Sequence, residues 1–291
     1  MRNYCIGLIC IAFVGLISAC GGESPIRFDG DSAYEYAAAQ VDFGPRFPGS
    51  DGHSTVQEWL QETLIELGWT VETQSFTHYG VELTNYIARL PNNTSNAAPL
   101  LLGAHYDTRP QADQDPLQPE NPVLGANDGA SGVAVLLELA RILPSHRPST
   151  PIWLVFFDGE DSGNLNGWDW IVGSTYFANQ LELEPQSVII VDMVGDRDLQ
   201  LYYDRNSDRG LSFEIWAVAV ELGMDGFIQE YKHSMIDDHT PFNRLGIPAS
   251  VIIDFDYPAW HTTQDNLDMI SAESLEQVGQ TLFTWINQYI P

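Results

Sequence analysis

The sequence is poor in cysteine and in positive charge, and its leading apolar run is short. Its three cysteines, Cys5, Cys10 and Cys20, all fall in the first twenty residues. Beyond them no thiol remains, which excludes an internal disulfide, thiol catalysis and cysteine-ligated zinc there. Lysine and arginine number 12 against 40 aspartates and glutamates, a formal charge of −28. That balance excludes partners held by phosphate charge, both nucleic acid and anionic membrane surfaces. Internal repeats and low-complexity tracts are absent. So is a G-x-S-x-G elbow, which argues against a serine hydrolase.

The apolar run, residues 5–17, follows Arg2 and precedes the small residues Ser18-Ala19. It is too short for a membrane span and has the form of a secretory signal. Leu16-Ile17-Ser18-Ala19-Cys20 resembles a bacterial lipobox. The resemblance implies that residues 1–19 are removed and that Cys20 carries a lipid, with residues 20–30 as a tether. An extracytoplasmic lipoprotein, membrane-associated only through that anchor, is the expectation.

What remains, residues 31–291, suffices for one α/β domain, and 44% of the whole chain is hydrophobic, enough for a sizeable core. Helical spacing covers 31–41, 54–67, 133–143, 174–181, 211–222 and 272–289, with Gly68 a stop for the second. Residues 71–76 and 83–90 read as a strand pair. The short apolar runs 100–104, 152–157, 188–191 and 250–253 read as strands buried on both faces. Their alternation with helices predicts a three-layer α/β/α sandwich around a mixed, mostly parallel sheet.

Ligands of such folds bind beyond the carboxyl ends of the strands. There this chain repeatedly places His, Asp or Glu: His105-Tyr106-Asp107, Gly125-Ala126-Asn127-Asp128-Gly129, Asp158-Gly159-Glu160-Asp161, Asp192, and Trp260-His261. Each alone has a bland explanation, since an Asp after a strand commonly caps a helix and neighbouring acids are commonly just solvated. His53, His78, His146 and His233 are read that way, as hydrogen-bonded surface residues. The recurrence at five strand ends points instead to a metal. Imidazole and carboxylate donors without thiolate suit catalytic zinc.

Together these segments resemble the zinc aminopeptidases of clan MH, in order and spacing, from about Ala38 to the C-terminus. The resemblance implies the ligands His105, Asp128 (bridging), Asp161, Asp192 and His261, with Glu160 as general base. Asp161 departs from the more usual Glu. Asp237-Asp238-His239-Thr240-Pro241-Phe242 and Trp260 are similar to one branch, the animal-type glutaminyl cyclases, where aminopeptidases usually have Ser in place of Asp237. That branch implies a second pocket tryptophan, either Trp168 or Trp170, and an aromatic residue near Tyr257. It also implies a disulfide beside the His-Tyr-Asp motif, which Ala104 rules out here.

The implied reaction is a glutaminyl-peptide cyclotransferase, an acyl transfer converting N-terminal Gln (and slowly Glu) to pyroglutamate with release of ammonia. One zinc on Asp128, Asp161 and His261 is expected. Asp192 and Asp237 would share a proton, leaving Asp192 a poor ligand and His105 unused. The alternative is a secreted aminopeptidase with two zincs, the second on His105 and Asp192. A metal-free binding lipoprotein would be expected to have lost ligands, and none is lost. Partners are peptide or protein N-termini bearing Gln, and a monomer is expected.

Overall fold

The computed structural model describes residues 26–91, 97–146 and 148–290. The signal segment and Cys20 lie outside them. A six-stranded sheet runs through the molecule. Its strands are β1 (Thr70–His78), β2 (Val81–Arg89), β3 (Leu100–His105), β4 (Ile152–Phe157), β5 (Ser187–Asp192) and β8 (Ala249–Ile253). Their order is β1-β2-β4-β3-β5-β8. The last four are mutually parallel, and the β1–β2 hairpin joins β4 antiparallel. Tyr79 and Gly80, both at positive φ, make the two-residue hairpin turn.

The apolar runs alternate between two cores, as the period of a strand requires. In β3, Leu100, Leu102 and Ala104 face one side and Leu101 the other. The first side is covered by α1 (Gly30–Asp42), α2 (Asp51–Glu66), α3 (Ala130–His146), α5 (Arg209–Leu222) and α7 (Ala272–Tyr289). The second is covered by α4 (Val172–Asn179) and α6 (Thr240–Arg244). This is the expected α/β/α sandwich with a mostly parallel sheet.

The 3₁₀ turn Leu267–Met269 and three further elements escape the sequence reading. β6 (Leu201–Tyr203) has three residues, β7 (Phe227–Tyr231) is largely exposed, and α6 has five residues. Each is too short or too polar for a periodic signal. The tether boundary also needs correction. Phe28 is fully buried with its ring over Gly279, Asp29 caps α1, and Gly30 opens that helix. Residues 28–30 therefore belong to the folded domain.

Two glycines draw the helical layer onto the site. A side chain at Gly132 in α3 would strike the Val191 carbonyl of β5. One at Gly129 would strike the Asp107 carbonyl, and its φ of +96° disfavours other residues. The segment carrying Asp128 is thereby pressed against the ends of β3 and β5.

Candidate active site

Asp128 stands between two histidines. Its Oδ1 is 3.3 Å from His105 Nε2, and its Oδ2 is 3.7 Å from His261 Nε2. His105 Nε2 also lies 3.1 Å from Asp192 Oδ1, and His261 Nε2 lies 3.0 Å from Asp161 Oδ1. Two triads result, His105–Asp128–Asp192 and Asp128–Asp161–His261, each with ligand atoms close enough for one metal ion. All the ligand residues the sequence suggested are thus brought together.

The support is equally specific. The Asp107 carboxylate accepts from the backbone N–H of Glu160 and of Asp161, fixing the loop after β4. Asp265 accepts from Asn127 N–H and Asp128 N–H, fixing the loop before α3. The second nitrogens of the histidines face carbonyl or carboxylate oxygen. His105 Nδ1 is 3.1 Å from Asp107 O, and His261 Nδ1 is 3.4 Å from Asp113 Oδ1. The His105 contact orients its imidazole so that Nε2 can ligate, whereas His261 Nδ1 makes no hydrogen bond among the described residues and its ring stacks on Trp260. His261 and Met193, beside Asp192, hold left-handed backbone at φ +56° and +44°. Non-glycine residues there are strained, a feature that clusters at functional sites.

Fully buried Arg46 ties the frame together. Its side chain donates to the carbonyls of Gln40, Tyr106, Leu124 and Gly125. Burial pulls its pKa down to about 10, so it stays charged at neutral pH. Arg109 donates to both oxygens of Asp113 and to Asp161 O, and lies over the Trp170 ring at 4.9 Å. Among these supports, Asp107 lies within a motif visible in the sequence. Asp113, Asp265, Arg46 and Arg109 carried no signal beyond their residue type.

A cavity of about 190 Å³ opens on this cluster, lined by Asp128, Glu160, Asp161, Asp192, Asp237 and His261. Trp170, Trp260, Phe255, Ile253, Met193, Met235 and Ile236 complete its wall. Trp170 is therefore the pocket tryptophan. Trp168 packs instead on His78 and Tyr79. Tyr257, expected to meet substrate, is 3% exposed and donates to Asp265 Oδ1 at 2.7 Å. It supports the Asp128 loop, and Phe255 takes the place at the wall. His53 also needs correction. It is buried, not a surface residue, with Nε2 2.8 Å from Asp158 Oδ1.

Burial raises the carboxyl groups of the cluster. Glu160 lies well above its ordinary range, with Asp161, Asp238 and Asp237 adding to the effect. Burial and Asp128 push Asp161 up to about 6, and burial and Asp192 push Asp237 up to about 7. Asp128 moves down, because His105 and His261 outweigh its burial. The residues fit zinc. Their donors are imidazole nitrogen and carboxylate oxygen, acids far outnumber Arg109 as a cation, and Asp161 Oδ2 is buried without a hydrogen-bond partner.

The sequence matches the family described as Peptidase family M28 over residues 85–286. A glutaminyl-peptide cyclotransferase of Drosophila melanogaster is 26% identical over 84% of this chain and 77% of its own. The crystal structure of Porphyromonas gingivalis glutaminyl cyclase superposes with a TM-score of 0.84 at 35% identity, over 90% of this chain and 98% of that one. A Bacteroides thetaiotaomicron structure described as a leucine aminopeptidase precursor does so with a TM-score of 0.85 at 34% identity, over 91% and 99%. With the family match spanning more than half its length and the site residues assembled, the chain belongs to peptidase family M28, within its glutaminyl cyclase branch.

Proposed function

We propose that the chain is a zinc-dependent glutaminyl-peptide cyclotransferase, converting the N-terminal Gln, and more slowly Glu, of peptides to pyroglutamate. One observation carries the reading: Asp237 lines the same cavity as Glu160, Asp192 and the Asp128–Asp161–His261 triad. The cavity is smaller than the roughly 300–1,000 Å³ of sites that take drug-sized ligands, which suits a single terminal residue. The names of the similar cyclases agree with it.

In the reaction the α-amine attacks the γ-carbonyl carbon of its own side chain. A C–N bond forms, the γ-amide C–N bond breaks, and ammonia leaves. The nucleophile is tethered, so the chain's task is orientation and proton movement. Zinc on Asp128, Asp161 and His261 would supply Lewis-acid polarisation of the carbonyl oxygen. Glu160 takes the proton from the amine and returns it to the departing nitrogen. A carboxyl group that burial raises well above its ordinary range suits both roles. Trp170 and Trp260 stack on His261, with ring centroids 6.0 and 3.7 Å away, and shield the reacting amide from water.

The same reading proposes one zinc per chain. Asp237 and Asp192 are both buried and line one cavity, and the charge of Asp192 raises the cost of ionising Asp237. Sharing a proton makes Asp192 a weak ligand beside His105. The second reading, an aminopeptidase with two zincs, draws on the assembled His105–Asp128–Asp192 triad and on the leucine aminopeptidase precursor. Lipidation at Cys20, an extracytoplasmic location and a monomeric state complete the proposal. Cys20→Ser should release the protein from membranes on fractionation.

The test uses the chain beginning after Cys20 with a Gln-initiated dipeptide, following ammonia and free amino acids together. Ammonia from an uncleaved peptide bond, abolished by chelator and restored by zinc, is the expected outcome. Free amino acids without ammonia would establish the aminopeptidase.

A further inference from the structure

A second depression, about 500 Å³, lies beside the catalytic cavity, bordered by β1 and α4. Trp170 and Ile236 line both, so the two share a wall. Another depression of similar size, around Leu117 and Pro258, shares no lining residue with the catalytic cavity. Continuity therefore makes the β1–α4 groove an exit for a peptide whose first residue is in the cavity.

We infer that this groove is a subsite for the second and third residues of the substrate, taking an apolar or aromatic side chain and a neighbouring carboxylate. The inference deepens the proposed function and rests on it in one respect, that the substrate is a peptide N-terminus. Phe76 and Tyr176 line the groove and stack at 4.3 Å, with ring planes 12° apart. Both rings are only half-buried, which leaves aromatic surface for a third side chain. Ile236, on the shared wall, is 63% exposed. An isoleucine at the mouth of an active site is left in water by the free protein and covered by a peptide passing over it.

The charges are also informative. The chain has 12 basic residues among 40 acidic ones, yet Arg244 lines this groove. It is exposed and has no carboxylate partner among the described residues. Asp169 is the groove's acidic residue. An unpaired guanidinium beside an aromatic face suits a carboxylate carried by the peptide, either an acidic side chain or a nearby C-terminus.

The zinc-loaded full chain should be assayed for kcat/KM on Gln-Gly-amide, Gln-Phe-amide, Gln-Gly-Phe-amide, Gln-Phe-Glu and Gln-Phe-Lys-amide. A phenylalanine at position two or three should raise kcat/KM about five-fold over glycine, the scale of one partly buried aromatic contact. Tyr176→Ala should bring that ratio to near one, with Gln-Gly-amide as the internal reference within each variant. Arg244→Glu should reverse the order of the Glu and Lys peptides, a swap that misfolding cannot produce. Equal kcat/KM for all peptides in the wild type, or a uniform fall across them in Tyr176→Ala, would overturn the subsite while leaving the cyclase intact. Failure to turn over any peptide would overturn the peptide-substrate reading and the subsite with it.

Discussion

The imidazole of His261 lies nearly parallel to the indole of Trp170, 12° between planes and 6.0 Å between centroids, although the two come from separate loops. The same indole carries Arg109, which holds Asp161 through its backbone carbonyl. One side chain thus forms the pocket wall and braces both halves of the Asp161–His261 pair. Trp170→Ala should lower kcat/KM by about 10- to 100-fold, the scale of a small misplacement of reacting groups. Trp168→Ala, removed from the cavity, should stay within about two-fold of wild type. Steady-state kinetics on one Gln peptide compares them, and equal losses would refute the assignment.

Glu160 belongs to neither metal triad. Glu160→Gln should therefore keep its zinc while kcat falls about 10²- to 10⁴-fold, the usual contribution of a positioned acid–base group. Zinc content measured beside kcat separates this from loss of metal.

Asp237 is held up to about 7 by burial and by Asp192. If the two share a proton, the wild type binds one zinc tightly, and Asp237→Ser frees Asp192 to bind a second with His105. Elemental analysis after dialysis should find the stoichiometry rising from one to two while ammonia release falls. Two tightly held zincs in the wild type would refute the proposed role.

His53 and Asp158 form a buried pair outside the metal cluster. Burial opposes charge on the imidazole, and contact with Asp158 more than offsets it, so the His53 pKa is raised above 6.5. The protonated ring then favours the folded state. Its contribution is complete below the unfolded value and is lost as pH rises through the folded one. The Tm difference between wild type and His53→Gln should be larger near pH 6 than near about pH 9. A difference that does not vary with pH would contradict the pairing.

Arg46→Met would remove a donor from four carbonyls on the α1, β3 and Gly125 segments, of which those of Gln40 and Gly125 keep a backbone N–H, from Phe43 and Ala130. Each buried acceptor left unpaired costs about 1–3 kcal/mol. The variant should unfold at much lower urea than wild type, and Arg46→Lys should recover only part of the loss because an ammonium lacks the planar fork. Urea denaturation followed by circular dichroism measures both.

Much of this protein is legible along the chain. Buried strands announce themselves as short apolar runs, and α7 as eighteen residues of helical period, because burial periodicity is a local property. The metal donors are legible as well, since strand ends of a parallel sheet converge on one edge and this chain puts an ionisable residue at nearly every one. What the tertiary structure alone decided are the relations between distant segments. Trp168 and Trp170 are equivalent in composition and spacing, and only the folded loop sends the second to the cavity. Tyr257 has the right residue type for a pocket wall, yet its hydroxyl turns inward to Asp265. His53 has no sequence mark that separates it from a solvated histidine, because its partner lies 105 positions away on β4's exit loop. Period and residue type travel with the chain, whereas which side chain meets which is fixed only when the layers pack.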